Sequence, residues 1–397
     1  MRASGTSAPR VRVCVVGAGP RFLSGISYYT NRLINALGSR FDVSALLIRQ
    51  MIPARFYPGR TRVGQPLTSF SYPPGCLVYE SIDWYWIPRM ARAVGHILRQ
   101  RPHVIVFQWW TGAVLHSYLL LALVARCARI PIVIEFHEVQ DPGEREIAIV
   151  GWYVKRAAPI LLWLAQGFVV HNEFDREALV SHYRMAERPV VVIPHGPYDQ
   201  YREPAGEPAV SPNGAGGNGV CHLLYFGVIR PFKGVEDIVS ALELMSEQEV
   251  AGFHLTVVGE TWENWTLPNE RIAASPLRDR INLVNRYVHD QEVAALFAEA
   301  DAVVLPYHRS SSSGPLQLAM ASGLPVVVSA VGGLIEASEG YEGAIRVPPR
   351  DPASLRSALN QARTLRGRRF PDVHSWERTL AGYERLFDEL GVGVSRS

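Results

Sequence analysis

The sequence predicts an α/β protein made of two parallel-sheet domains, and three observations carry that expectation. At 397 residues the chain exceeds what one ordinary hydrophobic core supports, so two domains of about 200 residues are the simplest division. Both halves repeat strand-length apolar runs, glycine-rich breaks and helix-period segments, the rhythm of parallel sheets with crossover helices. Between the halves, residues 201–220 are rich in Pro, Gly and Asn and include NGAGGNG, the composition of a flexible connection. The expected divisions are 11–200, a linker at 201–220, a second domain at 221–373, and a C-terminal helix and tail at 374–397.

Bulk composition narrows the function classes. The chain is 48% hydrophobic and 19% charged with a formal charge of only +3, which argues against a dedicated nucleic-acid binder. The four cysteines, Cys14, Cys76, Cys127 and Cys221, are scattered with no CxxC pair. That pattern suits a reducing compartment and speaks against a cysteine-based metal site. No apolar run reaches the roughly 18 to 20 residues of a membrane span, and the first ten residues do not read as a targeting signal. The expected location is cytoplasmic.

The first domain opens with a strand at Val11–Val16, a loop holding Gly17, Gly19 and Gly25, and a helix with Ile26, Tyr29, Leu33, Ile34 and Leu37 at helical spacing. A second strand runs from Phe41 to Ile48. The glycine loop is not a dinucleotide fingerprint: Phe22 fills the third glycine slot, and Arg49 stands where an acid would hold a ribose. Arg49–Cys76 reads as a long loop of the kind that often forms a functional lid or wall, and Phe56–Tyr85 is rich in aromatic surface. Trp84–Arg99 reads as a helix with Ile87, Met90, Val94 and Leu98 on one face and Arg89, Arg92, His96 and Arg99 on the other. Such a basic amphipathic helix either packs on a sheet or lies against an anionic membrane surface.

Later strands share a polar C-terminal end. His103–Phe107 ends in Gln108-Trp109-Trp110, Ile130–Phe136 in His137-Glu138, Gly167–Val170 in His171, and Pro189–Ile193 leads to His195. If the strands are parallel, these groups gather along the sheet edge where α/β proteins bind ligands. The aromatic and imidazole groups Trp109, Trp110, His171 and His195 are therefore candidate ligand contacts. Zinc is the competing reading for the histidines, but no HExxH helix accompanies them. No metal and no other cofactor is expected.

The second domain begins with CHLLYFGVIRPFKG, residues 221–234. A buried strand breaks at Gly227, and Arg230 and Lys233 follow on a short loop closed by Gly234 before a helix starts at Val235. Two cations at a strand end beside a helix N-terminus suit an anionic group such as a diphosphate. Solvated loop charge is the competing reading. Strands at Phe253–Val258, Ile281–Val284, Ala302–Leu305, Pro325–Ser329 and Ala344–Val347 continue the rhythm, with helices at Gln291–Ala300, Pro315–Ala321 and Pro352–Leu365. Arg309-Ser-Ser-Ser-Ser-Gly314 before Pro315 supplies hydroxyls at a helix start. His374–Leu390 is a last amphipathic helix.

Together these segments resemble the family 4 glycosyltransferases. FGVIRPFKGVEDIVSAL, FHLTVVGE, NRYVHDQEVAALFAEADAVVLPY and SGPLQLAMASGLPVVVSAVGGLIE are similar to consecutive blocks of that family's second domain. GISYYTNRLINAL, IEFHE, FVVHNEFDREAL and VIPHG are similar to its first-domain landmarks. The resemblance implies the GT-B fold, two Rossmann-like domains facing across a cleft with the last helix returning to the first. It implies a retaining, metal-independent hexosyltransferase that uses a nucleotide-diphosphate sugar and an unidentified acceptor. Carried over by position, Arg230 and Lys233 hold the donor diphosphate and count with His137 as catalytic. Gly25 closes over the phosphates, and Arg286, Tyr287 and Val288 meet the nucleobase. Ser313 and Gly314 flank the donor, Trp109, Trp110, His171 and His195 fall on the acceptor side, and Phe56–Tyr85 forms part of an acceptor wall. Three departures stand out: Ser310 and Leu318 occupy slots that many members fill with glutamate, and Val228 the slot after Gly227 that many fill with arginine, which here sits at 230. A sugar-nucleotide hydrolase or epimerase, and a non-catalytic sugar-nucleotide binder, remain alternatives. Peripheral contact with an anionic membrane through Trp84–Arg99 is a further expectation.

Overall fold

A computed structural model describes residues 10–21, 25–51, 70–86, 88–139, 148–183, 188–199 and 219–392. It divides into two compact units, one of Met1–Gly196 with Trp376–Ser397 and one of Pro197–Ser375. Phe22, residues 52–69 of the long loop and acceptor wall, and 201–218 of the linker lie outside the described residues.

The first unit alternates strands and helices. In chain order these are β1 (Arg12–Ala18), α1 (Gly25–Gly38), β2 (Asp42–Gln50), β3 (Leu77–Asp83), α2 (Arg89–Gln100), β4 (Val104–Trp109), α3 (Leu115–Cys127), β5 (Ile132–Phe136), α4 (Ala148–Leu164), β6 (Gly167–Val170), α5 (Glu173–Tyr183) and β7 (Val190–Val192). The strands form one parallel sheet in the order β3-β2-β1-β4-β5-β6-β7. Every residue of β4, β5 and β6 is buried, as a parallel sheet covered on both faces requires. The order reverses between β1 and β4, and the carboxyl ends of the strands beside such a reversal are where ligands bind.

Two expectations change here. The segment before Trp84 contains an unforeseen strand, β3, at the sheet edge. The following helix starts at Arg89, after a turn in which Trp86 has φ +62°. Its buried residues are Met90, Ala93, His96 and Ile97, and Leu98 is 51% exposed. His96 therefore does not join a cationic outer face. Its ring nitrogen pairs with the Ser44 hydroxyl at 3.0 Å, and burial lowers its pKa. The helix is rotated from the expected orientation because the small Ala93 and the paired His96 fit against the sheet.

The second unit runs β8 (Cys221–Phe226), α6 (Val235–Glu243), α7 (Glu247–Val250), β9 (Phe253–Val258), α8 (Leu267–Ala274), β10 (Ile281–Val284), α9 (Asp290–Glu299), β11 (Ala302–Leu305), α10 (Gly314–Ala321), β12 (Val326–Ser329), α11 (Gly333–Ala337), β13 (Ala344–Val347) and α12 (Pro352–Thr364). Its sheet is also parallel, in the order β10-β9-β8-β11-β12-β13. The reversal lies between β8 and β11, so the two loops that diverge from it are 227–234 and 306–313. The last helix, α13 (Trp376–Glu389), belongs to the first unit. It packs on α1, and the Thr379 hydroxyl donates to the Pro194 carbonyl at 2.9 Å. Among the described residues no helix is long and apolar enough to cross a membrane.

Candidate active site

In the second unit, backbone geometry builds the loop after β8. Gly227 turns the chain with φ +129°, and the Tyr225 hydroxyl donates to the Val228 carbonyl at 3.1 Å. Ile229 donates to the Glu260 carbonyl, and Trp262 returns the bond to Ile229, each at 3.0 Å. Gly234 then opens α6 with φ +64°. A Cβ there would stand 2.1 Å from the Pro306 carbonyl oxygen, so only glycine lets the two switch-point loops touch. His308 ties them further. Its backbone N–H donates to the Phe232 carbonyl at 2.8 Å, and its Nε2 lies 2.8 Å from the Asp237 carboxylate.

This loop gathers three cations around one ring. Arg230, Lys233 and Arg309 lie 5.1, 5.3 and 4.6 Å from the centre of Phe232. Lys233 Nζ also sits 3.6 Å over the Tyr307 ring, and burial pushes that phenol up to about 12, so it stays neutral beneath the ammonium. Arg230 is ion-paired with Glu263, yet its Nε is buried without a hydrogen-bond partner. Glu263 and Asn264 hold φ of +58° and +52°, an uncommon backbone for such residues. Three like charges gathered at a strand end make a site suited to an anion.

The loop after β11 completes this side. The Ser313 hydroxyl accepts from Leu316 N–H at 3.2 Å and caps α10, whose first turn carries no acid. Gly314 lies against Tyr198, 3.6 Å from where a Cβ would be. Ser310 donates to the Ser312 carbonyl at 2.6 Å, and Leu318 is buried in the core. Beside Leu318, Gln317 is 5% exposed with its Oε1 unpartnered. Arg286 is committed elsewhere: it grips Glu292 in a two-point pair at 3.1 and 2.6 Å and holds that carboxyl down at about 2. Val288 is buried, so this segment offers backbone and the Tyr287 ring rather than a guanidinium.

In the first unit, the polar strand ends do converge. Glu135, fully buried on β5, accepts from the Tyr29 hydroxyl at 2.6 Å and from Gln108 Nε2 at 3.1 Å. His137 and His171 stand 3.8 and 3.7 Å from its two oxygens. The Tyr29 ring packs 4.7, 5.5 and 4.2 Å from His137, His171 and His195. His171 Nδ1 lies 3.0 Å from the Ile193 carbonyl, which only accepts, so Nδ1 carries the proton. Burial lowers the pKa of both His171 and His137. A neutral His171 then accepts through Nε2 from His137 Nδ1–H at 3.3 Å. His137 is left with a lone pair on Nε2, an atom with no hydrogen-bond partner.

Glu135, His137 and His171 also offer ligand atoms within 4.8 Å of one another, a set able to hold a metal ion. Both carboxylate oxygens, however, are already engaged by Tyr29 and Gln108. The hydrogen-bonded reading accounts for every polar atom of the carboxylate. Gly25 opens α1, next to undescribed residues 22–24. Trp109 requires a correction. It is 2% exposed and packs 5.7 Å from Phe136, because strand alternation turns it opposite to Gln108 and into the core. Trp110, half-buried, packs on the edge of the same core. The sequence reading missed Glu135, Tyr29 and Arg309. An acid inside the buried run IVIEF was the available signal.

Comparison with known proteins agrees with this architecture. The family model described as "Glycosyl transferase 4-like domain" matches residues 24–196, and that described as "Glycosyl transferases group 1" matches 221–364. A D-inositol 3-phosphate glycosyltransferase of Geodermatophilus obscurus is 28% identical over 251 residues, 59% of this chain and 55% of that protein. A glycogen synthase of Mycobacterium tuberculosis is 34% identical over 145 residues, 36% of this chain and 33% of that one. The chain thus matches between a third and a little over half of these relatives' lengths. The sucrose-phosphate synthase of Thermosynechococcus elongatus shares the fold, with a TM-score of 0.62 at 18% identity over 96% of this chain and 98% of that one. The chain belongs to the family 4 glycosyltransferases and has their GT-B fold of two Rossmann-like domains.

Proposed function

We propose that the chain transfers a sugar from a nucleoside-diphosphate sugar to an acceptor, with retention of configuration. The observation that carries this reading is the convergence of Arg230, Lys233 and Arg309 around Phe232 at the sheet's switch point. Cleaving the bond between sugar carbon and phosphate oxygen leaves the electron pair on the diphosphate. Cations fixed at that charge stabilise the transition state more than the ground state. Family membership supports the same assignment.

In this reading the Ser313-capped start of α10 adds backbone N–H groups and dipole on the phosphate side. Gln317 takes over a hydroxyl contact near the position of Leu318, where its unpartnered Oε1 accepts. The backbone of 286–288 borders the nucleobase. His137 Nε2 accepts from a hydroxyl of the transferred sugar, and its lone pair is kept available by the His171–Ile193 chain. Retention follows if the acceptor attacks the face from which the phosphate leaves. The departing phosphate oxygen then takes the acceptor proton.

The test is nucleotide release from a panel of labelled nucleoside-diphosphate sugars, with and without candidate acceptors. At least one donor should release nucleotide, and His137→Ala should lower kcat by about tenfold or more while leaving nucleoside-diphosphate binding intact. Binding without turnover across a broad acceptor panel would leave a sugar-nucleotide binder instead.

A further inference from the structure

Helix α4 is apolar on both sides. Val154, Ala158, Leu161 and Leu164 face the sheet and are buried. The opposite face should be polar in a helix that ends at water. Instead Ile149, Trp152, Ile160 and Trp163 are 75, 61, 51 and 68% exposed. At 100° per residue these four positions fall within one stripe of about 80°, Arg156 lies on it too, and Lys155 borders it. The Arg156 guanidinium sits 6.0 Å from the centre of the Trp152 ring. Two exposed indoles and two exposed isoleucines on one helical ridge form an apolar patch that is unpartnered among the described residues, rather than scattered surface residues.

Charge on the same layer identifies the occupant. Helix α4 packs on α3, and α3 packs on α2. None of the three helices contains an aspartate or glutamate. They carry exposed cations instead: Arg92 and Arg99 on α2 and Arg126 on α3, with Arg129 just after it. The acids of the segment preceding α4, within 140–147, lie outside the described residues. A protein partner with mixed surface charge needs acids opposite its own cations. An anionic lipid surface needs none. Indole rings between an apolar floor and a basic rim match the interfacial zone of a bilayer.

We propose that the outer face of α4 docks the first unit on an anionic lipid bilayer. Trp152, Trp163, Ile149 and Ile160 enter the headgroup boundary, and Lys155, Arg156 and the arginines of α2 and α3 meet lipid phosphates. This puts a membrane contact on α4, distinct from the Trp84–Arg99 stretch expected from sequence, where Trp84, Tyr85, Trp86 and Leu98 are exposed and His96 is buried. It is independent of the donor reading, since no residue of the 227–234 loop takes part.

Co-sedimentation with phosphatidylcholine vesicles, with and without phosphatidylglycerol, tests the proposal on the full chain. The wild type should bind the anionic vesicles and lose this at high salt. Trp152→Ala/Trp163→Ala should weaken partitioning by about tenfold or more. Lys155→Glu/Arg156→Glu should weaken it by about fivefold for each cation removed. Circular dichroism checks that both exposed-site variants keep the fold. Absence of wild-type binding at low salt overturns the proposal, as does undiminished binding by both variants. A concentration-dependent dimer that Trp152→Ala/Trp163→Ala abolishes, without vesicle binding, would assign the face to a second copy of the chain.

Discussion

Replacing Arg230 by alanine should cripple turnover, and the structure says how the loss divides. The guanidinium's charge-assisted contacts to a diphosphate are worth about 1.5–3 kcal/mol, or roughly 10- to 150-fold in kcat/KM. A second loss comes from Glu263, whose carboxylate Arg230 neutralises in the resting protein. Without Arg230 that carboxylate faces the diphosphate bare. At about 6 Å and an effective dielectric of about 20, one charge pair repels by roughly 3 kcal/mol. Glu263 is about a quarter exposed, and solvent screening reduces the repulsion to about 1 kcal/mol, near fivefold. Arg230→Ala should therefore lower kcat/KM by about a hundredfold. Adding Glu263→Gln should recover about fivefold of that, and Glu263→Gln alone should stay within about fivefold of wild type. The assay is steady-state nucleotide release, with thermal melts confirming that each variant is folded. Wild-type kinetics in Arg230→Ala, or a double variant worse than the single one, would refute the reasoning.

Two further outcomes follow from the geometry. Gly234→Ala puts a Cβ 2.1 Å from the Pro306 oxygen at φ +64°, which should cost about 1–3 kcal/mol in urea unfolding; an unchanged midpoint would show that the loops separate easily. Acid should weaken the first unit. His137 and His171 have pKa values depressed below 6.5 by burial, so between those depressed values and 6.5 the unfolded chain binds more protons than the native one. Their contribution to stability is full above about pH 6.5 and is lost as pH falls. Urea midpoints should drop from about pH 7.5 to 5.5, less steeply in His171→Gln, and a midpoint that rises on acidification would contradict the burial argument.

Legibility from sequence varied with the kind of signal. The loop at 227–234 was readable because an apolar strand, two bracketing glycines and a helix leave little freedom in where Arg230 and Lys233 sit. Parallel strands likewise carried His137, His171 and His195 to one edge, and their rings do cluster around Tyr29. What failed were features that depend on side-chain direction. Trp109 follows Gln108 on β4, and alternation alone sends one to the polar network and the other to the core. The edge strand β3, LVYESID, has too few apolar residues to stand out. Helix α4 is apolar all round, so its periodicity shows no inner face until the sheet is seen. Glu135 was hidden as one acid in an otherwise apolar strand, although burying a carboxylate demands partners. Arg309 looked like ordinary loop charge until Phe232 and Lys233 were placed beside it.

The most direct measurement is calorimetric titration of UDP, GDP, ADP and dTDP into wild-type protein, Arg230→Ala and Lys233→Ala, with the matching nucleosides as controls. If the 227–234 loop holds a diphosphate, at least one nucleoside diphosphate binds the wild type, its nucleoside binds far more weakly, and each variant loses about tenfold or more in affinity. Equal binding by wild type and both variants, or no binding by any nucleoside diphosphate, would contradict it.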